Sequence, residues 1–124
     1  MTNYSNRQGQ GPTILIVDDE PFIVDELASL LEDEGYCVVT ANSLRLAVSM
    51  VECFPSLRLV MTDMLLPGES GLELIERLSK RDLAFILTSG HLDTDTTTLA
   101  NTVFIKKPVD LSALVYAVKV AHQR

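Results

Sequence analysis

The chain contains no tryptophan, and only 6% of its 124 residues are aromatic. It has two cysteines, Cys37 and Cys53, too few for a disulfide framework and without metal-ligand spacing. Both sit in apolar stretches and read as reduced core residues of a cytoplasmic protein, with a single bridge between them as the minor alternative. Basic residues are scarce, 10 against 17 acidic ones, for a net charge of -7. Such a balance repels phosphate backbones and anionic headgroups, which argues against direct nucleic-acid or membrane binding and favours proteins or metal ions as partners. No apolar run approaches membrane-spanning length, and "MTNYSNRQGQGP" at the start lacks the apolar centre of an export signal. Repeats and low-complexity tracts are absent apart from "TDTTT" at Thr94 to Thr98.

What is abundant is hydrophobic material, 47% of the chain, enough for one core and not for two. Residues 1–12 read as a polar lead-in and 13–124 as a single domain. "TILIV" from Thr13 is a continuous β-branched run, suited to a strand buried on both faces. Ile23, Leu27, Leu30 and Leu31 then recur at helical spacing, with Gly35 as a stop. The alternation continues with "YCVVTA" from Tyr36, and with a helix capped by Ser43 that carries Leu44, Ala47, Val48 and Val51. Next come "LRLVMT" from Leu57 and a helix bearing Leu72, Leu74, Ile75 and Leu78. After "AFILT" from Ala84, a threonine-rich segment from about Asp93 to Asn101 makes only a weak helix. "VFIK" from Val103 and a last helix, capped by Asp110 and bearing Leu111, Leu114, Val115 and Val118, complete the series. Five strand-helix units in alternation predict an α/β fold, a doubly wound parallel sheet with helices on both faces.

Ligands bind such sheets outside the carboxyl ends of the strands. Those ends carry Asp18 and Asp19 after the first strand, Asp63 after the third, Thr88 after the fourth and Lys107 after the fifth. Each has a plain reading alone: a helix cap for Asp18 or Asp19, an Asx turn for Asp63, an ordinary strand end for Thr88, a solvated loop residue for Lys107. Their meeting on one rim favours a site over coincidence. Clustered carboxylates repel one another, and an all-oxygen donor set with no nearby His or Cys suits Mg²⁺. Lys107 adds a positive point for an anion, and the Thr88 hydroxyl a hydrogen bond to it. Such a site holds a phosphoryl group beside Asp63, and a carboxylate can itself be the nucleophile that forms an aspartyl-phosphate.

"ILIVDDEP", "LVMTDMLLPGESGLEL", "FILTSG" and "FIKKPVD" resemble, in order and spacing, the signature segments of two-component response-regulator receiver domains such as the chemotaxis regulators. The resemblance runs from Thr13 to about His122. It implies a flavodoxin-like strand order, 2-1-3-4-5, and a phosphorelay signalling domain, not an enzyme, that assists its own phosphorylation and dephosphorylation. Asp63 would accept phosphate from a histidine kinase or phosphotransfer protein. Asp18, Asp19, Asp63 and the backbone carbonyl of Leu65 would hold Mg²⁺, and Thr88 and Lys107 would contact the phosphoryl oxygens. Phe104 matches the family's aromatic switch position, where core packing is the competing role. A downstream protein target or a fused output domain would read the signal, and the resemblance allows a phosphorylation-dependent homodimer.

Several positions depart from the family pattern. Phe104 lacks a phenolic hydroxyl, and the stretch from Thr88 to Lys107 is short. Leu65 and Gly90 offer no side-chain group to orient an attacking water, so autodephosphorylation is expected to be slow. His91 reads as a bystander near the rim and His122 as a solvated residue at a helix end. Rival readings are weaker. An aspartate-nucleophile phosphatase usually has a second acid where Leu65 stands, and a nucleotide or flavin domain needs a glycine-rich phosphate loop where "DDEP" stands. A degenerate receiver that works purely as a phosphorylation-independent binding module is the remaining alternative.

Overall fold

The structure, a computed structural model, describes residues 11–90 and 101–122. Its main strands are β1 (Ile14–Val17), β2 (Val38–Ala41), β3 (Leu59–Asp63), β6 (Ala84–Ser89) and β7 (Thr102–Lys106). Between β3 and β6 lies a small antiparallel pair, β4 (Leu65–Leu66) and β5 (Glu69–Ser70). The helices are α1 (Pro21–Asp33), α2 (Leu44–Cys53), α3 (Gly71–Leu78) and α4 (Leu111–His122). All pairings in the main sheet are parallel, in the order β2-β1-β3-β6-β7, which is the flavodoxin-like order once the small pair is set aside.

Parallel strands joined by crossover helices are covered on both faces, which is why "ILIV" is apolar at every position rather than at every second one. On one face Leu15, Val17, Val60, Phe85 and Leu87 pack with α2 and α3 residues such as Ala47, Val51, Leu74 and Leu78. On the other, Ile14, Ile16, Met61 and Ile86 meet Leu27 and Leu31 of α1 and Leu114 and Val118 of α4. Alternate residues of one strand thus feed two cores.

Local signals set most element ends. The Ser43 hydroxyl accepts the Leu46 N–H at 3.1 Å, and one Asp110 oxygen accepts the N–H groups of Ser112 and Ala113 at 2.9 and 3.2 Å. Gly35 follows α1 with φ +100°, a left-handed conformation that costs a glycine little.

Other expectations need correction. Cys37 is buried, but Cys53 is exposed, and neither is bridged by a disulfide. The inward stripe of α2 is Leu44, Ala47 and Val51, and Cys53 lies about 200° around the helix from Val51. In α1 the buried residues are Val24, Leu27 and Leu31, leaving Ile23 on the flank and 37% exposed. His122 is not solvated: it is partly buried, its ring centroid is 4.8 Å from that of Tyr36, and its Nε2 has no hydrogen-bond partner. Burial, with Arg58 nearby, lowers its pKa below 6.5. The threonine-rich helix and His91 lie outside the described residues, as does most of the lead-in. Asn101, the expected end of that helix, has φ +58° and belongs to a turn.

Candidate functional site

Asp63 is the last residue of β3 and Thr88 stands directly opposite it in β6. Thr88 in turn faces Ile105 of β7, and just beyond that strand the Lys107 N–H donates to the Ser89 carbonyl at 2.8 Å. From there the Lys107 Nζ reaches back to Asp63 Oδ2, also at 2.8 Å. Strands β3 and β7 are not neighbours; β6 lies between them, so the lysine side chain crosses a gap of about 10 Å between strand axes. A loop lysine with no task would extend into water instead.

The other Asp63 oxygen, Oδ1, accepts the Leu65 N–H at 3.1 Å. The loop that supplies this N–H is fastened at both ends: Met64 N–H donates to the Thr88 carbonyl at 2.8 Å, and Gly71 N–H to the Met64 carbonyl at 2.7 Å. Helix α3 starts against the strand end at Gly71, where a Cβ would collide with the Asp63 carbonyl oxygen and crowd Leu87. The glycine is a requirement of close approach rather than of backbone freedom.

Asp18 is 5% exposed, and its Oδ1 accepts the Glu20 N–H at 3.0 Å, which shapes the turn before α1 rather than capping the helix. Burial raises its pKa above the ordinary carboxylate value, and the negative charges of Asp63 and Asp19 push the same way against the Glu20 hydrogen bond and Lys107. Asp19 is exposed beside it. For Lys107, burial pulls the pKa down, but the hydrogen bond and attraction to Asp63 outweigh it and raise the net value. Asp18 and Asp19, with Asp25, Thr40 and Asn42, line a cavity of about 300 Å³ beside the rim. Asp18, Asp63, Thr88 and Lys107 are therefore brought together, with Asp19 and Leu65 at the margin.

Phe104 lies opposite Leu87, partly buried against the core shared with α2 and α3. Leu65 is 74% exposed, and Gly90 has open space where a side chain would be. Among the described residues no three His, Cys, Asp or Glu side chains form a ready-made metal cage. Mg²⁺ does not need one, since it is ordinarily held by one or two carboxylates and keeps several waters, so an acidic pair under mutual repulsion fits it.

Two features escaped the sequence reading. The β4–β5 pair was announced only by the turn dipeptide Pro67-Gly68, and the role of Gly71 by a glycine at a helix start.

The comparisons with known proteins agree with this geometry. The family model described as "Response regulator receiver domain" matches residues 14–119. The two-component response regulator PprB of Pseudomonas aeruginosa is 36% identical over 84 residues, which are 64% of this chain and 30% of PprB, so the chain spans about a third of that relative. A response regulator receiver domain protein from Clostridium thermocellum superposes with a TM-score of 0.79 at 31% identity, covering 89% of this chain and 93% of that one. The beryllofluoride-activated NtrC4 receiver domain, a dimer in solution, gives 0.80 at 28% identity, covering 88% and 94%. With the acids, the hydroxyl and the lysine gathered on one rim of this sheet, the chain belongs to the response regulator receiver domain family.

Proposed function

We propose that this chain takes a phosphoryl group onto Asp63 from the phosphohistidine of a histidine kinase or phosphotransfer protein and signals by the resulting conformational shift. The observation that carries the reading is the 2.8 Å pair between Lys107 and Asp63, formed across an intervening strand at the edge where Thr88 and Asp18 converge. An Asp63 oxygen attacks phosphorus, a P–O bond forms as the donor's P–N bond breaks, and the departing imidazole takes up a proton. Lys107 reduces the charge repulsion on approach and afterwards meets the phosphoryl oxygens, with the Thr88 hydroxyl as a second donor. Asp18, Asp19, Asp63 and the Leu65 carbonyl would hold Mg²⁺, whose charge offsets that of the carboxylates and the transferred group.

Receiver domains are signalling domains rather than turnover enzymes, and response regulators work with histidine kinases and output domains. For this chain, taken as a receiver over 13–124 behind the lead-in, we infer a cytoplasmic setting and an output read by a separate protein, a fused domain or a second copy. Inward movement of Thr88 on phosphorylation would leave room for the Phe104 ring to turn, a shift between two pre-existing states. With Leu65 and Gly90 unable to orient water, the aspartyl-phosphate is expected to last minutes or longer; a lifetime of seconds contradicts this.

Intact-protein mass after incubation with acetyl phosphate, and with a phosphorylated histidine phosphotransfer domain, tests the function. One Mg²⁺-dependent phosphoryl adduct is expected on wild type and none on Asp63→Asn. No adduct from either donor sinks the reading and leaves a phosphorylation-independent binding module.

A further inference from the structure

Glu69 belongs to β5, in the loop that follows Asp63, yet one of its hydrogen bonds reaches a different part of the chain. Its Oε1 accepts the backbone N–H of Leu44, the first residue of α2, at 3.1 Å and 25 residues away in sequence. Ser43 satisfies the Leu46 N–H of the same turn, so the start of α2 is closed by one local and one distant acceptor. A carboxylate at this end of a helix is further favoured by the helix dipole.

The connection continues in both directions. On the Glu69 side, Leu66 pairs with Glu69 and Leu65 with Ser70, and the Leu65 N–H holds Asp63 Oδ1 at 3.1 Å. On the α2 side, the Ala41 carbonyl, at the end of β2 and shortly before Ser43, accepts the Asp18 N–H at 3.1 Å. Asp18 and Asp63 thus stand at the two ends of a path of hydrogen bonds and short stretches of backbone that passes through the start of α2. Their charges repel, and the pairing of β1 with β3 ends at Val17 and Thr62, one residue short of both, so loops free to move beyond it would let the two carboxylates part. A displacement of about 1 Å in a reacting group costs on the order of a hundredfold in rate, so a brace between these loops has chemical consequences.

We propose that Glu69 is a positioning residue: its hydrogen bond to Leu44 straps the loop after β3 to the loop after β2 and fixes the gap between Asp63 and Asp18. It touches neither the phosphoryl group nor the cation, and acts by holding the residues that do. The inference rests on the phosphoacceptor reading above.

The test compares Glu69→Ala and Glu69→Gln with wild type in the full chain, the glutamine retaining an oxygen acceptor without the charge. The readouts are the Mg²⁺ concentration for half-maximal phosphorylation by acetyl phosphate, the maximal rate, and amide hydrogen exchange at Leu44 and Leu65. Glu69→Ala is expected to raise the half-saturating Mg²⁺ about tenfold, the scale seen when a residue that orients metal ligands is removed. It also speeds exchange at both amides, while Glu69→Gln stays within about twofold of wild type on every readout. An unchanged Mg²⁺ requirement in Glu69→Ala overturns the proposal. So does an equal shift in both variants, which assigns the effect to charge and not to the strap. A wild type that accepts no phosphoryl group defeats the functional reading instead, and exchange then decides the brace by itself: faster exchange at Leu44 with Leu65 unchanged overturns it, and faster exchange at both in the alanine variant alone upholds it.

Discussion

At the scale of single residues, environment decides which charges help the fold. The raised pKa of Asp18 means that its contribution to stability is fully present below 3.8 and is lost as pH rises through the folded-state value. Wherever it is ionised, the carboxylate therefore opposes folding of the metal-free protein. Asp18→Asn, which keeps the acceptor for the Glu20 N–H, is expected to raise Tm by about 3 °C in calorimetry with chelator present. A lower Tm would refute this. His122 has the opposite sign. Its pKa is lowered from 6.5, so its contribution is present above 6.5 and is lost as pH falls through the folded-state value. Wild type should lose Tm between pH 7 and 5 more steeply than His122→Phe, which keeps a ring against Tyr36 and removes the titration. Equal slopes would count against it. The gathering of Asp18, Asp63 and Lys107 at one rim was legible in the sequence, because each follows an apolar strand run that fixes its depth. Leu44 and Glu69 were illegible: neither periodicity nor motif couples positions 25 apart. The Cys53 and His122 assignments failed because apolar neighbours in sequence say little about which way one side chain points.

Elements end where a specific group satisfies or blocks the backbone. At the start of α4 one carboxylate serves two N–H groups, so Asp110→Ala is expected to cost about 1 kcal/mol in urea unfolding. Gly71→Ala is expected to cost more, about 3 kcal/mol, because the added methyl must push α3 away from the Asp63 carbonyl. The same variant should slow phosphorylation if the strand end shifts with it. A Gly71→Ala protein as stable as wild type would show that α3 yields easily. Helices α2 and α3 and every strand of the main sheet were readable from apolar runs and caps. The β4–β5 pair was not, since strands of two residues carry no period and exist only because the loop is tied down around them.

Over the whole molecule, the excess of acid and the order of the strands set the behaviour. A net charge of -7 with carboxylates gathered at one rim is expected to make the folded state a better cation ligand than the unfolded chain. At ten times its dissociation constant, Mg²⁺ is expected to stabilise the fold by about 1.4 kcal/mol, and Asp18→Asn to lose most of that gain. Thermal unfolding across a Mg²⁺ titration reads both. The described residues include no helix long and apolar enough to cross a membrane. The sheet order has a further consequence for synthesis. Strand β1, made before both of its neighbours, ends up inside, between β2 and β3, and its four residues are all buried. On the ribosome one of its edges can pair once β2 has emerged, but the other must wait for β3 from residue 59 onward, and the acidic rim it carries must wait longer still. Lys107, the cation that quiets that rim, follows Asp63 by 44 residues, so a nascent chain that ends between the two holds the aspartates without their counter-charge.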